Sequence, residues 1–107
     1  MTTRKKRSDR NHIIYKVVSK ITGRSYIGLT ERKGQKLIGS VKIRWKQHLS
    51  KARRGFKVKL YDEIRECGEE NFDLYVIEIV RGRKEAFARE AYLINQLEPE
   101  LNTRIRS

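Results

Sequence analysis

The sequence predicts an α+β domain in which a small three-stranded antiparallel sheet is flanked by three helices, in the order ββααβα. Three observations lead to this fold class. Residues 13–28 have the composition of a β-hairpin, three later segments repeat apolar residues at helical spacing, and residues 72–80 form a strongly apolar run. The chain of 107 residues has the length of one domain and can bury about two-thirds of its unfolded surface.

The hairpin pattern places two tyrosines on neighbouring strands. Residues 13–19 and the stretch around Tyr26 are rich in β-branched and aromatic side chains, so each is predicted to be a strand. The predicted turn between them contains Gly23, which can adopt a positive φ. Pairing of the two strands would bring the phenols of Tyr15 and Tyr26 to the same region.

The first predicted helix follows a polar loop over residues 31–39. Ser40 is expected to cap this helix, which should run to about Arg54 and end before Gly55. Its inward stripe consists of apolar residues at helical spacing: Val41, Trp45, Leu49 and Ala52. Three residues that can carry charge recur at the same spacing on a neighbouring face: Arg44, His48 and Lys51.

A second helix is predicted over residues 60–67, with Leu60, Ile64 and Cys67 facing inward and a glycine after its end. Residues 72–80, with the sequence FDLYVIEIV, follow as a strand. Since apolar side chains occur on both sides of this strand, we expect it in the middle of the sheet, covered on both faces.

The last predicted helix, over about residues 83–97, has a carboxylate within its buried stripe. Glu90 lies in the middle of a set of apolar residues: Ala86, Phe87, Ile94 and Leu97. An ionised carboxylate on an apolar face is costly unless it is paired, hydrogen-bonded or bound to a metal. A cation such as Arg89 and a metal ion are the alternatives that the sequence leaves open.

The net charge points to an anionic partner. The chain has 26 basic and 13 acidic residues, a net charge of +13, so we expect it to bind nucleic acid, with a membrane surface or another polyanion as alternatives. Residues 1–12 are predicted to form a flexible basic arm ahead of a single domain over residues 13–107. Eight basic residues and no acid occur between Val41 and Leu60, a pattern that favours contact with a phosphate backbone. The residues expected to contact nucleic acid are Lys16, Arg44, Lys46, Lys51, Arg53, Arg54, Lys57 and Lys59.

A cytoplasmic location is expected from two absences in the sequence. The single cysteine permits no internal disulfide, and no apolar run has the length of a signal peptide or a membrane span.

Five short motifs in order resemble the signature of the GIY-YIG nuclease family. The first two are residues 13–15, IIY, in which Ile13 stands where the family usually has glycine, and residues 26–28, YIG. Residues 44–48, RWKQH, resemble the arginine helix of the family. Residues 90–94, EAYLI, resemble its glutamate helix, and residues 99–102, PELN, its closing segment. The loop before the arginine helix is somewhat long for the family.

The resemblance implies a GIY-YIG-like fold and a metal-dependent DNA endonuclease that hydrolyses phosphodiester bonds. It implies that Glu90 binds one divalent ion, Mg²⁺ or Mn²⁺, and that Tyr15 acts as the general base. Tyr26 would orient water or phosphate, and Arg44 would clamp the scissile phosphate with its forked donors.

The resemblance leaves two further residues with alternative roles. His48 would share the phosphate clamp, orient a tyrosine or serve the structure only. Asn102 would lie near Glu90 or tie down the end of the domain.

Two other classes of function remain open, a non-catalytic DNA- or RNA-binding protein and a degenerate nuclease used as an architectural module. Within the nuclease interpretation, DNA duplex is the expected partner. No separate DNA-binding region is recognisable, so low or short-sequence specificity is expected, or specificity supplied by a homodimer or by another protein. No membrane association is expected.

Overall fold

Three strands and three helices follow one another in the predicted order, ββααβα. The computed structural model describes residues 10–102. The elements are β1 (Asn11–Ser19), β2 (Ser25–Glu31), α1 (Leu37–Arg53), α2 (Lys59–Cys67), β3 (Phe72–Arg81) and α3 (Arg83–Leu97), with a single 3₁₀ turn (Glu69–Asn71) before β3. The predicted basic arm falls largely on residues 1–9, which lie outside the described residues, and β1 begins at Asn11, inside the range expected for the arm.

The sheet is antiparallel throughout, with the strand order β2-β1-β3. The central strand is therefore β1, and the expectation that residues 72–80 occupy the middle is wrong. Ile13 and Ile14, which point to opposite faces of β1, are both fully buried. At the edge, the pairing of β3 with β1 shifts between Ile14 and Tyr15, so that Ile77 has no partner on β1. Apolar composition alone does not distinguish a covered strand from an edge strand whose outer side chains stay exposed.

The main core lies between the sheet and the first two helices. The predicted inward residues Val41, Trp45 and Ala52 of α1 are buried there, and Leu49 packs against them half-buried. Leu60 and Ile64 of α2 complete this layer, as predicted. Within residues 10–102, no helix is both long and apolar enough to cross a membrane.

Ser40 does not cap α1, because the helix already begins at Leu37. The Ser40 hydroxyl instead accepts a hydrogen bond from the Lys33 amide at 2.7 Å and donates one to the Lys33 carbonyl at 2.9 Å. The side chain that was expected to start the helix therefore fastens the preceding loop to it. A serine within the first turn of a helix and a serine at its start have the same sequence signature.

Helix α3 spans residues 83–97 as predicted, but its predicted buried stripe is largely wrong. Ala86 is buried, whereas Phe87 is 50% exposed and Leu97 is 55% exposed. Arg89 forms its ion pair with Glu78 on β3, at 2.9 Å, and not with Glu90. Helix α3 contacts all three strands, and Ala86 is the one residue that it buries fully.

Candidate active site

The two signature tyrosines lie side by side, as the hairpin predicted. Their ring centroids are 6.2 Å apart. The register of β1 and β2 places Tyr15 directly opposite Gly28, so the Tyr15 ring lies over the glycine. A Cβ atom at Gly28 would come within 2.5 Å of the Tyr15 phenol and 2.8 Å of the Tyr26 ring. Glycine is thus required here by space rather than by backbone conformation.

Behind the tyrosine pair, His48 connects two phenols in a buried hydrogen-bonded chain. The Tyr15 hydroxyl lies 2.8 Å from His48 Nε2, and the Tyr61 hydroxyl lies 2.9 Å from His48 Nδ1. Burial, with the charges of Arg44 and Lys51, lowers the pKa of His48 to about 4. Burial also raises the pKa of Tyr15. The charge of Arg44 acts in the opposite direction and offsets this rise only in part. All three members of the chain are consequently neutral at pH 7 in the free protein.

Tyr61 is a member of this chain that sequence reasoning missed. Its position beside Leu60 on an amphipathic helix was a signal for burial, and its side chain is 6% exposed. Nothing in the local sequence indicates a hydrogen bond to a histidine thirteen residues earlier on another helix.

An open groove of about 480 Å³ lies in front of the tyrosines, between α1 and α3. Three of the six predicted catalytic residues line it, Tyr26 from β2, Arg44 from α1 and Glu90 from α3. Tyr15 and His48 do not line it. The other lining residues are His12, Leu29, Thr30, Glu31, Arg83 and Phe87. Side chains that are up to 78 positions apart in the sequence thus converge on one surface.

His12 belongs to this groove although the sequence analysis placed it in the basic arm. It is 4% exposed on β1, and its Nδ1 donates a hydrogen bond to the Arg10 carbonyl at 2.9 Å. No alternation marks it in the sequence, because the four residues from His12 to Tyr15 are all buried; its place follows from the start of β1 at Asn11.

Glu90 is the only carboxylate of α3 in the groove, and partial burial raises its pKa. Among residues 10–102, no lysine or arginine lies within ion-pairing distance of it. The pKa of Tyr26 is raised first by burial, lowered by the charge of Arg44 and raised by that of Glu90. The charges of Arg44 and Glu90 therefore both act on the same phenol.

Asn102 contacts the backbone of β2. Its Oδ1 accepts a hydrogen bond from the Ile27 amide at 2.8 Å, and its Nδ2 donates one to the Ile27 carbonyl at 2.9 Å. The Leu101 amide also donates to the Ser25 carbonyl at 2.8 Å. Of the two roles considered for Asn102, the geometry therefore favours the structural one.

The residues predicted to bind nucleic acid differ in their surroundings. Lys46, Lys57 and Lys59 are exposed, whereas Lys16, Arg44 and Lys51 are half-buried. Arg53 is held by Glu69 through two hydrogen bonds of 2.6 Å each, and Arg54 lies over the Phe56 ring at 5.2 Å. Arg53 is thus already occupied by a carboxylate in the free protein.

Comparison with protein families identifies the family to which the chain belongs. The model of the GIY-YIG catalytic domain matches residues 11–104. The chain belongs to the GIY-YIG family. It is a GIY-YIG-type endonuclease, a phosphodiester hydrolase whose substrate is DNA. GIY-YIG nucleases generally depend on a divalent metal. Searches of curated proteins and of solved structures gave no match.

Proposed function

We propose that this GIY-YIG endonuclease cleaves DNA in the groove between α1 and α3, with one divalent cation at Glu90 and with little dependence on base sequence. The observation that supports the proposal most strongly is the convergence of Tyr26, Arg44 and Glu90 on that groove from three separate elements. Phosphodiester hydrolysis needs a positioned water, positive charge at the phosphate and help for the leaving oxygen. These three side chains offer groups suited to the first two needs.

The donor set at Glu90 fits a single hard cation. A partly buried carboxylate with no cationic partner among the described residues needs a compensating positive charge. No cluster of three or more metal-ligating side chains occurs in residues 10–102. Mg²⁺ is often held by one or two carboxylates, with water and substrate phosphate as the remaining ligands. We therefore assign Mg²⁺ or Mn²⁺ to Glu90. When bound, the ion supplies positive charge that stabilises the phosphate and the leaving oxygen.

Arg44 and Tyr26 act on the substrate directly in this proposal. The guanidinium of Arg44 has five donors, of which one is engaged with the side chain of Gln47 at 2.7 Å. The others can hold two oxygens of the scissile phosphate at once, which a lysine would not do. The Tyr26 hydroxyl orients the attacking water or the phosphate.

Tyr15, His48 and Tyr61 support this surface from behind. Since both nitrogens of His48 are engaged by tyrosine hydroxyls, we assign His48 to the orientation of Tyr15 rather than to the phosphate clamp. Tyr15 is 0% exposed, and its raised pKa keeps it protonated in the free protein. The base role implied for it by the family therefore requires that substrate binding open a path to its hydroxyl and stabilise its phenolate.

Contacts to the DNA backbone are assigned to the exposed lysines of the α1–α2 region. Phosphate contacts carry no direct sequence information, which is the basis for the low specificity that we propose. Any sharper specificity would come from a second copy of the chain or from a protein partner.

The test is cleavage of supercoiled plasmid with Mg²⁺, with Mn²⁺ and with EDTA, for the unmodified protein and for Glu90→Gln. Glutamine keeps the shape of the side chain and removes its charge. Cleavage should fall at least about a hundredfold, because loss of the ion removes several kcal/mol of transition-state stabilisation. Binding to DNA should persist.

Glu85→Gln is the matched control, because Glu85 is an exposed carboxylate on the same helix outside the groove. It should leave cleavage unchanged. Cleavage that survives EDTA would contradict the metal assignment. The absence of cleavage with every divalent ion would instead favour the non-catalytic nucleic-acid-binding alternative.

A further inference from the structure

Phe87 is a large apolar side chain that α3 exposes within the active-site groove. Half of its surface is exposed, although the sequence pattern predicted it to be buried. It precedes Glu90 by three residues, and such residues are neighbours on a helix surface, with Cβ atoms roughly 5–6 Å apart. Phe87 therefore lies on the groove wall directly beside the carboxylate assigned to the cation.

An arginine accompanies this ring. The Arg83 guanidinium lies 5.5 Å from the centre of the Phe87 ring and lines the same groove. The two side chains thus combine a flat apolar surface with a positive charge. Nucleic-acid-binding proteins use this combination to stack a base while attracting the adjoining phosphate.

We propose that Phe87 is a stacking platform for a nucleobase next to the scissile phosphate, and that the substrate is DNA with an unpaired nucleotide beside the cut. The proposal deepens the function proposed above and rests on it for the position of the phosphate. In an intact duplex the faces of the bases are covered by their neighbours, so an aromatic ring reaches a base face only after that base has left the stack. Leaving the stack costs least for a base that is already mismatched or unpaired.

The spacing suits a nucleotide that adjoins the cleaved bond. Successive nucleotides of one strand are separated by about 3.4 Å along the helix axis, and the Cβ atoms of Phe87 and Glu90 by roughly 5–6 Å, so one to two nucleotides span the distance. A phosphate held near Glu90 would therefore place the flanking base within reach of Phe87.

Exposure of an aromatic ring on α3 does not by itself indicate contact with the substrate, as a comparison with Tyr92 shows. It is also on α3, is 51% exposed and has the Arg89 guanidinium 5.0 Å from its ring centre. Tyr92 does not line the groove. The two aromatic residues thus share helix, exposure and a stacked arginine, and they differ in their relation to the site.

The experiment measures binding in EDTA by fluorescence anisotropy, with a 20-base-pair duplex and with the same duplex carrying one unpaired nucleotide at its centre. The unmodified protein should bind the second DNA about tenfold more tightly, the effect of one stacked base. Phe87→Leu should abolish this preference without weakening binding to the matched duplex. Phe87→Trp should keep the preference, and so should Tyr92→Leu.

Equal binding of the two DNAs by the unmodified protein would overturn the proposal. Loss of the preference in Tyr92→Leu to the same extent as in Phe87→Leu would also overturn it. Addition of Mg²⁺ then separates the proposal from the function on which it rests. Cuts within one nucleotide of the unpaired base support both, whereas a preserved binding preference without any cleavage supports the platform and contradicts the proposed hydrolysis.

Discussion

Helices α1 and α3 both supply charged residues to the groove, Arg44 from α1 and Arg83 and Glu90 from α3, yet they are held in the fold in different ways. Their lengths are similar, 17 and 15 residues. Helix α1 buries five of its residues, whereas α3 buries only Ala86. On α1, His48 is further fixed by hydrogen bonds to two tyrosines, while the large apolar residues Phe87 and Leu97 of α3 remain about half exposed.

Because of this difference, α1 contributes mainly to the stability of the domain and α3 mainly to the proposed reaction. The free energy of folding on the α1 side comes from buried apolar area, which scales with the number and size of the buried side chains. The residues of α3 contribute little of that area, and in our proposal they contribute the metal ligand and a surface for the substrate. Substitutions on the two helices should therefore have separable effects, and the following predictions test that separation.

The largest expected difference is in unfolding. Trp45→Ala should lower the free energy of unfolding by about 3–5 kcal/mol, because it leaves a cavity where a ring that is 9% exposed now packs against Phe72. Phe87→Ala on α3 should cost less than about 1 kcal/mol, since half of its ring is already in water. Urea unfolding followed by circular dichroism measures both. Losses of equal size would contradict the division between the helices.

The next effect is a pH dependence that originates on α1. The pKa of His48 is about 4 in the fold against 6.5 for a free histidine, so the unfolded chain binds more protons between these two values. Stability should therefore fall by about 3 kcal/mol from pH 7 to pH 4, and the small remaining loss through His48 should be complete by about pH 3. His48→Gln should flatten this part of the profile. An identical slope in the two proteins would show that His48 is not its source.

For Glu90 on α3, the expected change of stability with pH has the opposite sign. Burial raises the pKa of Glu90, so the fold holds this proton more readily than the unfolded chain does. The contribution of Glu90 to stability is therefore present at low pH and is lost as the pH rises through its pKa in the fold. Glu90→Gln should remove that loss and be slightly more stable than the unmodified protein at pH 7, which unfolding in parallel with His48→Gln will show. A loss of stability at pH 7 would indicate a structural role for the carboxylate.

Gly28 connects the two halves of this comparison, because a change there affects both the stability of the domain and the positions of the two tyrosines. In Gly28→Ala the new methyl group would lie 2.5 Å from the Tyr15 phenol, so we expect a loss of about 1–3 kcal/mol and a large loss of cleavage as the tyrosines shift. Gly39→Ala is the matched control on α1, where the nearest atom would be 3.8 Å away. That change should stabilise the helix by about 0.5–1 kcal/mol. Full cleavage by Gly28→Ala would show that the tyrosine positions tolerate displacement.

The smallest effect concerns the basic end of α1 and the loop after it. Binding through phosphates makes log K fall linearly with log salt concentration, by about 0.9 for each phosphate contacted. Lys57→Ala should flatten this slope by about that amount. Arg53→Ala should flatten it less, because Glu69 already holds the guanidinium. Anisotropy titrations from 50 to 300 mM salt provide the measurement, and equal changes in the two variants would show that the ion pair with Glu69 opens on binding.

Local sequence was sufficient for the order of the elements and for most of their bounds. It was also sufficient for the inward residues of α1 and α2, because these follow from periodicity within one segment. It did not place β3 at the edge of the sheet, because edge or centre is decided by which strands pair. It did not predict the exposure of Phe87, because the face of α3 that meets the sheet is decided by packing between distant segments and not by periodicity within the helix.

The site was predictable to the extent that it resembles a known signature. Tyr26, Arg44 and Glu90 were identified from that signature, and the structure brings all three to one groove. The partners of His48 were not predictable, since a hydrogen bond between side chains on two helices leaves no periodic pattern in either. The same holds for His12, whose place in the groove follows from the length of β1.

The two hydrogen bonds between the Asn102 side chain and the Ile27 backbone connect residues 75 positions apart. Contacts of such high sequence separation form late, because a long segment must be ordered before they can close. On a ribosome the strand that carries Tyr26 emerges well before Asn102 and can pair with β1, but it lacks the contact with Asn102 until nearly the whole domain has been synthesised. Assembly of the groove is therefore tied to completion of the domain, and an interrupted nascent chain lacks the closing contact that holds its second tyrosine strand in place.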